Sequence, residues 1–218
     1  MSSVMSPQVD VSNTEQEEKN VTGDEIIAKH LPAESGVWAF VLGDMVIFAL
    51  FFITFMGYRE GWFGQNFSAV FYQSQQTLNQ TLGAVNTIVL LTSSYFIVLA
   101  LYFSNAQHSN GNRAKLFARL AIISGLIFVG IKGVEYYEKI AAGHTMVSNE
   151  FFMFYYIITG LHMLHVLIGM VFIKIFFLSP KQTKQEQHKL YEQKEGAALY
   201  WHMVDLLWIM IFPLLYLL

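Results

Sequence analysis

Five apolar segments, each close to the length that a helix needs to cross a bilayer, dominate this sequence. They span 36–58, 82–103, 116–134, 151–173 and 197–218. A helix rises ~1.5 Å per residue, so about 20 apolar residues cross a hydrocarbon core of ~30 Å. Strands of a membrane barrel are about half as long, and backbone polar groups in lipid must be satisfied within the segment or a closed barrel. The pattern predicts an all-α polytopic membrane protein with a five-helix transmembrane bundle.

A polar stretch precedes the first apolar segment. Residues 1–35 hold seven acidic residues against two lysines, which predicts a loosely ordered acidic tail followed by a membrane domain over 36–218. The rest of the chain is nearly neutral, which argues against a nucleic-acid partner. The sequence has no cysteine, so disulfides, thiolate metal sites and iron–sulfur clusters are excluded, and a haem or metal would need histidine or carboxylate ligands.

Basic residues favour one side of the predicted bundle. Eight lie in or beside the second and fourth connections, namely Arg113, Lys115, Arg119, Lys174, Lys181, Lys184, Lys189 and Lys194, whereas only Arg59, Lys132 and Lys139 lie by the other two. Because basic loops stay in the cytoplasm, this asymmetry predicts a cytoplasmic N-terminus and an external C-terminus. Trp62, Phe63, Tyr136 and Tyr137 are predicted to form an aromatic belt at the external interface.

Ionisable side chains inside the helices are the candidate functional residues. They are Asp44, Lys132, Glu135, His162, His165, His202 and Asp205. A charged residue at the centre of a membrane helix costs roughly 2.5–3.5 kcal/mol on insertion scales, so each is expected to face protein.

Helical rise predicts that four of these side chains, Asp44, His165, His202 and Asp205, lie in the cytoplasmic half and form one polar layer. Within that layer we expect His202 and Asp205 to anchor the fifth helix to the fourth through His165 or His162. Three interpretations are open: structural hydrogen bonds between helices, a b-type haem held by two histidines, or a metal site of two histidines and two carboxylates.

Four motifs, in order, resemble one family. Residues 200–208, YWHMVDLLW, resemble the YWHFVDxxW signature of cytochrome c oxidase subunit III, and residues 159–169, TGLHMLHVLIG, resemble its TGxHxxHVxxG segment. Residues 86–94, NTIVLLTSS, and 132–136, KGVEY, are similar to two further motifs of that family. The resemblance is to the short five-helix form, and residues 34–45 resemble especially the branch associated with nitric oxide reductases. Asp44 falls where the longer form has a buried glutamate.

This resemblance implies a non-catalytic accessory subunit in a bacterial cytoplasmic membrane. Such a subunit packs against a haem–copper catalytic subunit, binds structural phospholipid, and supports assembly and sustained proton uptake. Haem and copper are then expected in the partner, with no cofactor or metal bound by this chain itself. Two other classes are kept as alternatives: an independent electron carrier with a b-type haem, and a small membrane transporter.

Overall fold

The computed structural model describes residues 35–64, 67–104, 111–178 and 186–218, and within these ranges the chain is helical with no strand. The helices are α1 Ser35–Glu60, α2 Ser68–Gln76, α3 Gln80–Ser104, α4 Gly111–Ala141, α5 Glu150–Leu178 and α6 Glu186–Phe212, with a π-helical turn over Pro213–Leu217. Five of them, all except α2, are long and apolar enough to cross a membrane. The predicted fold class is therefore confirmed.

Four of the five predicted apolar segments lie inside longer helices, and the fifth, 197–218, runs past the end of α6 into the π-helical turn. The helices extend past the apolar runs because polar residues at a membrane surface continue the backbone hydrogen-bonding pattern, as in α4, which begins five residues before the predicted segment. The short helix α2 was not predicted; it buries mainly Phe71 and Ser74. Most of the acidic tail, residues 1–34, and the connection holding Lys181 and Lys184 lie outside the described residues.

Helices α3 to α6 form the bundle. α3 packs against α4 and α6, and α5 packs against the same two neighbours. Glycines permit the close contacts: a methyl group added at Gly169 would lie 2.8 Å from the Trp201 ring, and one at Gly125 would lie 2.8 Å from the sulfur of Met170. Small residues at helix contacts let the backbones approach, and large aromatic side chains fill the space opposite.

Helix α1 lies at the edge of the bundle. It packs on α5, α6 and α2, and its buried apolar side chains recur every seven residues at Val41, Phe48 and Phe55. A seven-residue repeat places these three on one helix face. Much of the remaining apolar surface of α1 faces away from the protein, as expected for a helix in contact with lipid or with another subunit.

Short connections close the predicted external end. Asn149 caps α5 by accepting a hydrogen bond from the Phe152 amide, and its own amide group donates to Ser74 of α2. Lys139 and Arg59 donate to the carbonyls of Thr77 and Leu218.

The aromatic side chains at this end divide into two groups. Trp62, Phe63 and Tyr137 are exposed, consistent with the predicted belt. Tyr136 does not belong to it: its ring is packed against Tyr155 and Tyr156, and its hydroxyl lies 2.6 Å from Thr159.

Candidate functional site

A buried ionic network lies between α4 and the π-helical turn. Lys132 and Glu135 are each 1% exposed, and their Nζ and Oε2 atoms are 2.9 Å apart. The Tyr216 hydroxyl donates to Glu135 Oε1 at 2.5 Å and accepts from Lys132 Nζ at 2.6 Å. Each of the three side chains therefore hydrogen-bonds the other two, and the network as a whole is neutral when Lys132 and Glu135 are ionised.

Aromatic rings surround the Lys132 ammonium group. Nζ lies 5.2 Å from the ring centroid of Tyr155, 4.9 Å from that of Trp208 and 5.1 Å from that of Tyr216. Cation–π attraction of this kind is worth up to about 2 kcal/mol when the cation is desolvated. The rings come from α5, α6 and the final turn, so the charged pair on α4 is stabilised only when the bundle is complete.

The second polar pair joins α1 to α5. Asp44 Oδ2 lies 3.1 Å from His165 Nε2, and the two side chains are 13% and 9% exposed. The rings of His165 and Phe48 are nearly perpendicular, with centroids 5.6 Å apart. The level that helical rise predicted for these two residues is therefore correct, and they meet.

The other nitrogen of His165 limits how the pair can be protonated. Nδ1 lies 2.7 Å from the Leu161 carbonyl oxygen, which can only accept, so Nδ1 carries a proton. Nε2 therefore faces Asp44 Oδ2 either as a lone-pair acceptor or as a second N–H donor.

His202 contacts a different helix from the one expected. Its Nδ1 lies 2.7 Å from the hydroxyl oxygen of Ser94 on α3. The prediction that His202 and Asp205 anchor their helix to α5 through His162 or His165 is wrong, because the polar face around His202 is turned toward α3. The single polar layer is likewise divided between separate contacts. Asp205, 4% exposed, has no hydrogen bond of standard geometry from the described residues.

His162 is packed by aromatic rings. It is fully buried, with its ring 5.6 Å from that of Phe128 and 5.3 Å from that of Trp208. Neither ring nitrogen has a hydrogen-bond partner within the ranges that the structure describes. Among those same residues, no three histidine or carboxylate side chains are grouped in a way that could hold a metal ion.

Sequence reasoning identified the ionisable residues but missed their partners. Tyr216 and Ser94 are an ordinary aromatic and a small polar residue, and nothing local marks them. The one available signal was that Lys132 and Glu135, at i and i+3 on one helix face, required buried partners from elsewhere.

The fold and these buried contacts define a class: a polytopic α-helical membrane protein with ionisable side chains buried within its helix bundle. Residues 4–218 match the family described as cytochrome c oxidase subunit III. The chain belongs to that family, and is thus a subunit III of the haem–copper oxidase type.

Three relatives illustrate the range of the family. The chain is 30% identical to "Cytochrome c oxidase subunit 3" of Alkalihalophilus pseudofirmus, covering 84% of each chain. It is 25% identical to "Probable quinol oxidase subunit 3" of Staphylococcus epidermidis, over 83% of this chain and 86% of that one. It is 23% identical to "Heme-copper oxidase subunit I+III" of Aeropyrum pernix, over 91% of this chain and 25% of that protein.

Proposed function

We propose that this chain is a non-catalytic accessory subunit of a membrane haem–copper terminal oxidase or nitric oxide reductase complex. It supports assembly, lipid binding and sustained proton uptake by a catalytic partner in the bacterial cytoplasmic membrane. The observation that carries the proposal is the family match over nearly the whole chain. The Aeropyrum relative supports a catalytic subunit as the partner of this chain, because the name of that relative joins subunits I and III in one protein.

The surface of α1 supports contact with lipid or with the partner. Phe40, Leu42, Val46 and Leu50 are each more than half exposed, although they lie in a membrane-spanning helix. Such residues need an apolar environment outside the chain, supplied by acyl chains or by another subunit. Asp44 and His165 hold this helix to the bundle at the end where α1 begins.

The contact between Asp44 and His165 allows two roles, proton transfer and a structural link between α1 and α5. We favour the structural role because the pair joins an edge helix to the bundle, and the reduction of oxygen or nitric oxide belongs to the haem-bearing partner. Under this proposal the subunit supports proton uptake by its packing against the partner rather than through Asp44 itself.

The histidine contacts support the proposal that haem and copper are held by the partner. Both ring nitrogens of His165 face protein acceptors or donors, and Nδ1 of His202 is bonded to Ser94. Two of the three histidines considered as haem ligands thus already have protein partners. We propose structural phospholipid as a ligand of this chain.

Affinity purification of the tagged subunit in mild detergent tests the function. We expect a larger haem-containing polypeptide to co-purify, with a visible haem spectrum that disappears when that polypeptide is removed. The subunit alone is expected to hold much less than one haem, iron or copper per chain. A haem spectrum that stays with the isolated subunit and is lost in His165→Ala would instead identify an independent electron carrier. Recovery of the subunit without any haem-containing protein would contradict the proposed complex.

The orientation of the chain is a separate proposal. Basic residues described at one end of the bundle, including Arg113, Lys115 and Lys174, support a cytoplasmic location for that end. We expect an alkaline phosphatase fused after Leu218 to be active and one fused at Lys184 to be inactive. The reverse pattern would overturn the proposed topology.

A further inference from the structure

In three buried polar side chains, on three helices of the bundle, both hydrogen-bonding atoms lack a partner among the described residues. These side chains are Asn86 on α3 and His162 on α5, both 0% exposed, and Asp205 on α6, 4% exposed. Buried polar groups in native proteins are nearly always hydrogen-bonded, so three such side chains together require a common explanation.

Trp208 contacts His162 and the residue that follows Asn86. Its ring lies 5.3 Å from the His162 ring, and its Nε1 donates at 3.0 Å to the hydroxyl of Thr87, the residue next to Asn86. Asp205 precedes Trp208 by three residues, which is less than one turn of α6, or about 4.5 Å along its axis. We call Asn86, His162, Asp205 and Trp208 the Trp208 layer.

The polar groups that the structure describes nearby have other partners. The Ser94 hydroxyl is near Asp205, but it is bonded to His202, and even a contact from Ser94 would leave the second carboxyl oxygen unpaired. Lys132, whose ammonium group faces Trp208 from α4, is already bonded to Glu135 and Tyr216. The His165 ring is engaged with Asp44 and the Leu161 carbonyl.

The chemistry of the unpaired atoms identifies the occupant. Asp205 presents acceptors when ionised, whereas the Asn86 amide and a neutral His162 each present both donors and acceptors. A cation would leave the N–H groups of Asn86 and His162 unpaired, and burial of all three side chains excludes a lipid headgroup. Water is small, donates and accepts, and typically makes about three bonds to buried polar groups. We propose that the Trp208 layer binds ordered internal water molecules, which hydrogen-bond Asp205, His162 and Asn86.

This internal hydration determines whether a substitution in the Trp208 layer raises or lowers stability. In a dry layer, replacing an unpaired polar side chain by an apolar one of similar size removes a penalty and raises stability. In a hydrated layer the same change removes a ligand of the water and lowers stability. Asp205→Asn is the matched control, since its amide keeps a polar group of the same shape that bonds water.

Thermal unfolding of the purified complex, with subunit III detected separately, measures whether each variant is more or less stable than the wild type. We expect Asp205→Leu and His162→Phe to lower the melting midpoint by several degrees, and Asp205→Asn to stay within about 2 °C of the wild type. In a chain of this size, a modest loss of stability lowers the midpoint by about 2–4 °C. Apolar variants that melt at or above the wild type would overturn the proposal.

A high-resolution cryo-electron microscopy map of the wild-type complex provides a second test that needs no variant. We expect density within hydrogen-bond distance, ~2.7–3.2 Å, of an Asp205 oxygen and of a His162 nitrogen. Well-ordered side chains with no such density, or density whose short, many-oxygen coordination identifies a metal ion, would contradict bound water.

Discussion

Replacing Glu135 with alanine is expected to remove most of this subunit from the membrane complex. The substitution leaves the Lys132 ammonium group buried without its carboxylate, while only the Tyr216 hydroxyl and the surrounding rings remain. Removing one member of a buried ion pair costs about 3–5 kcal/mol, a large part of the stability of a typical domain. The measurement is the amount of subunit III per haem in purified complex, compared with wild type.

Two further variants separate the charge from the packing. The double variant Lys132→Met with Glu135→Leu removes both charges and keeps apolar bulk, so it is expected to recover much of the lost subunit. Tyr216→Phe keeps the aromatic ring over Lys132 but removes the hydroxyl bonded to both partners, and should give an intermediate loss. Equal loss in Glu135→Ala and in the double variant would show that the unpaired charge is not the cause.

Replacing Asp44 with leucine is expected to loosen α1 and to lower both subunit content and bound phospholipid. The change leaves His165 Nε2, 3.1 Å from Asp44 in the native protein, without a partner, which costs about 1–3 kcal/mol in a buried site. Asp44→Asn is the matched control: its amide donates to the Nε2 lone pair while Nδ1 keeps its bond to the Leu161 carbonyl. Turnover of the partner, subunit content and lipid should then stay close to wild type.

The pH dependence of turnover decides between the two roles of Asp44. An amide cannot titrate, so if Asp44 supplied protons, Asp44→Asn would lose turnover, and the loss would be greatest at high pH, where protons are scarce. That result, found with normal subunit content and normal lipid, would show that the structural role we favour is wrong.

The sequence alone determined the membrane class and the five spanning helices. Each spanning helix is predicted from a local quantity, the length of an apolar run. In lipid, the backbone N–H and C=O groups of such a run must bond each other, which favours a helix. The sequence also identified the ionisable residues that matter, because a charge is costly in any spanning helix, whatever surrounds it. The depth of each side chain in the membrane was also predictable, because the rise per residue of a helix is fixed. That rise placed Asp44 at the level of His165.

Which side chains meet depends on how the helices pack. The hydrogen-bond partner of a buried side chain depends on how each helix is rotated and on which helices are neighbours. A local sequence pattern predicts neither. His202 therefore contacts Ser94 on α3 rather than a histidine on α5, and Lys132 is bonded by Tyr216, 84 residues away. Asp205 and His162, expected to join two helices directly, have no hydrogen-bond partner in the described part of the chain, and His162 packs against Trp208. Large rings such as Trp208 set the spacing of the helices. A buried polar group can then bond only the groups that this packing places beside it.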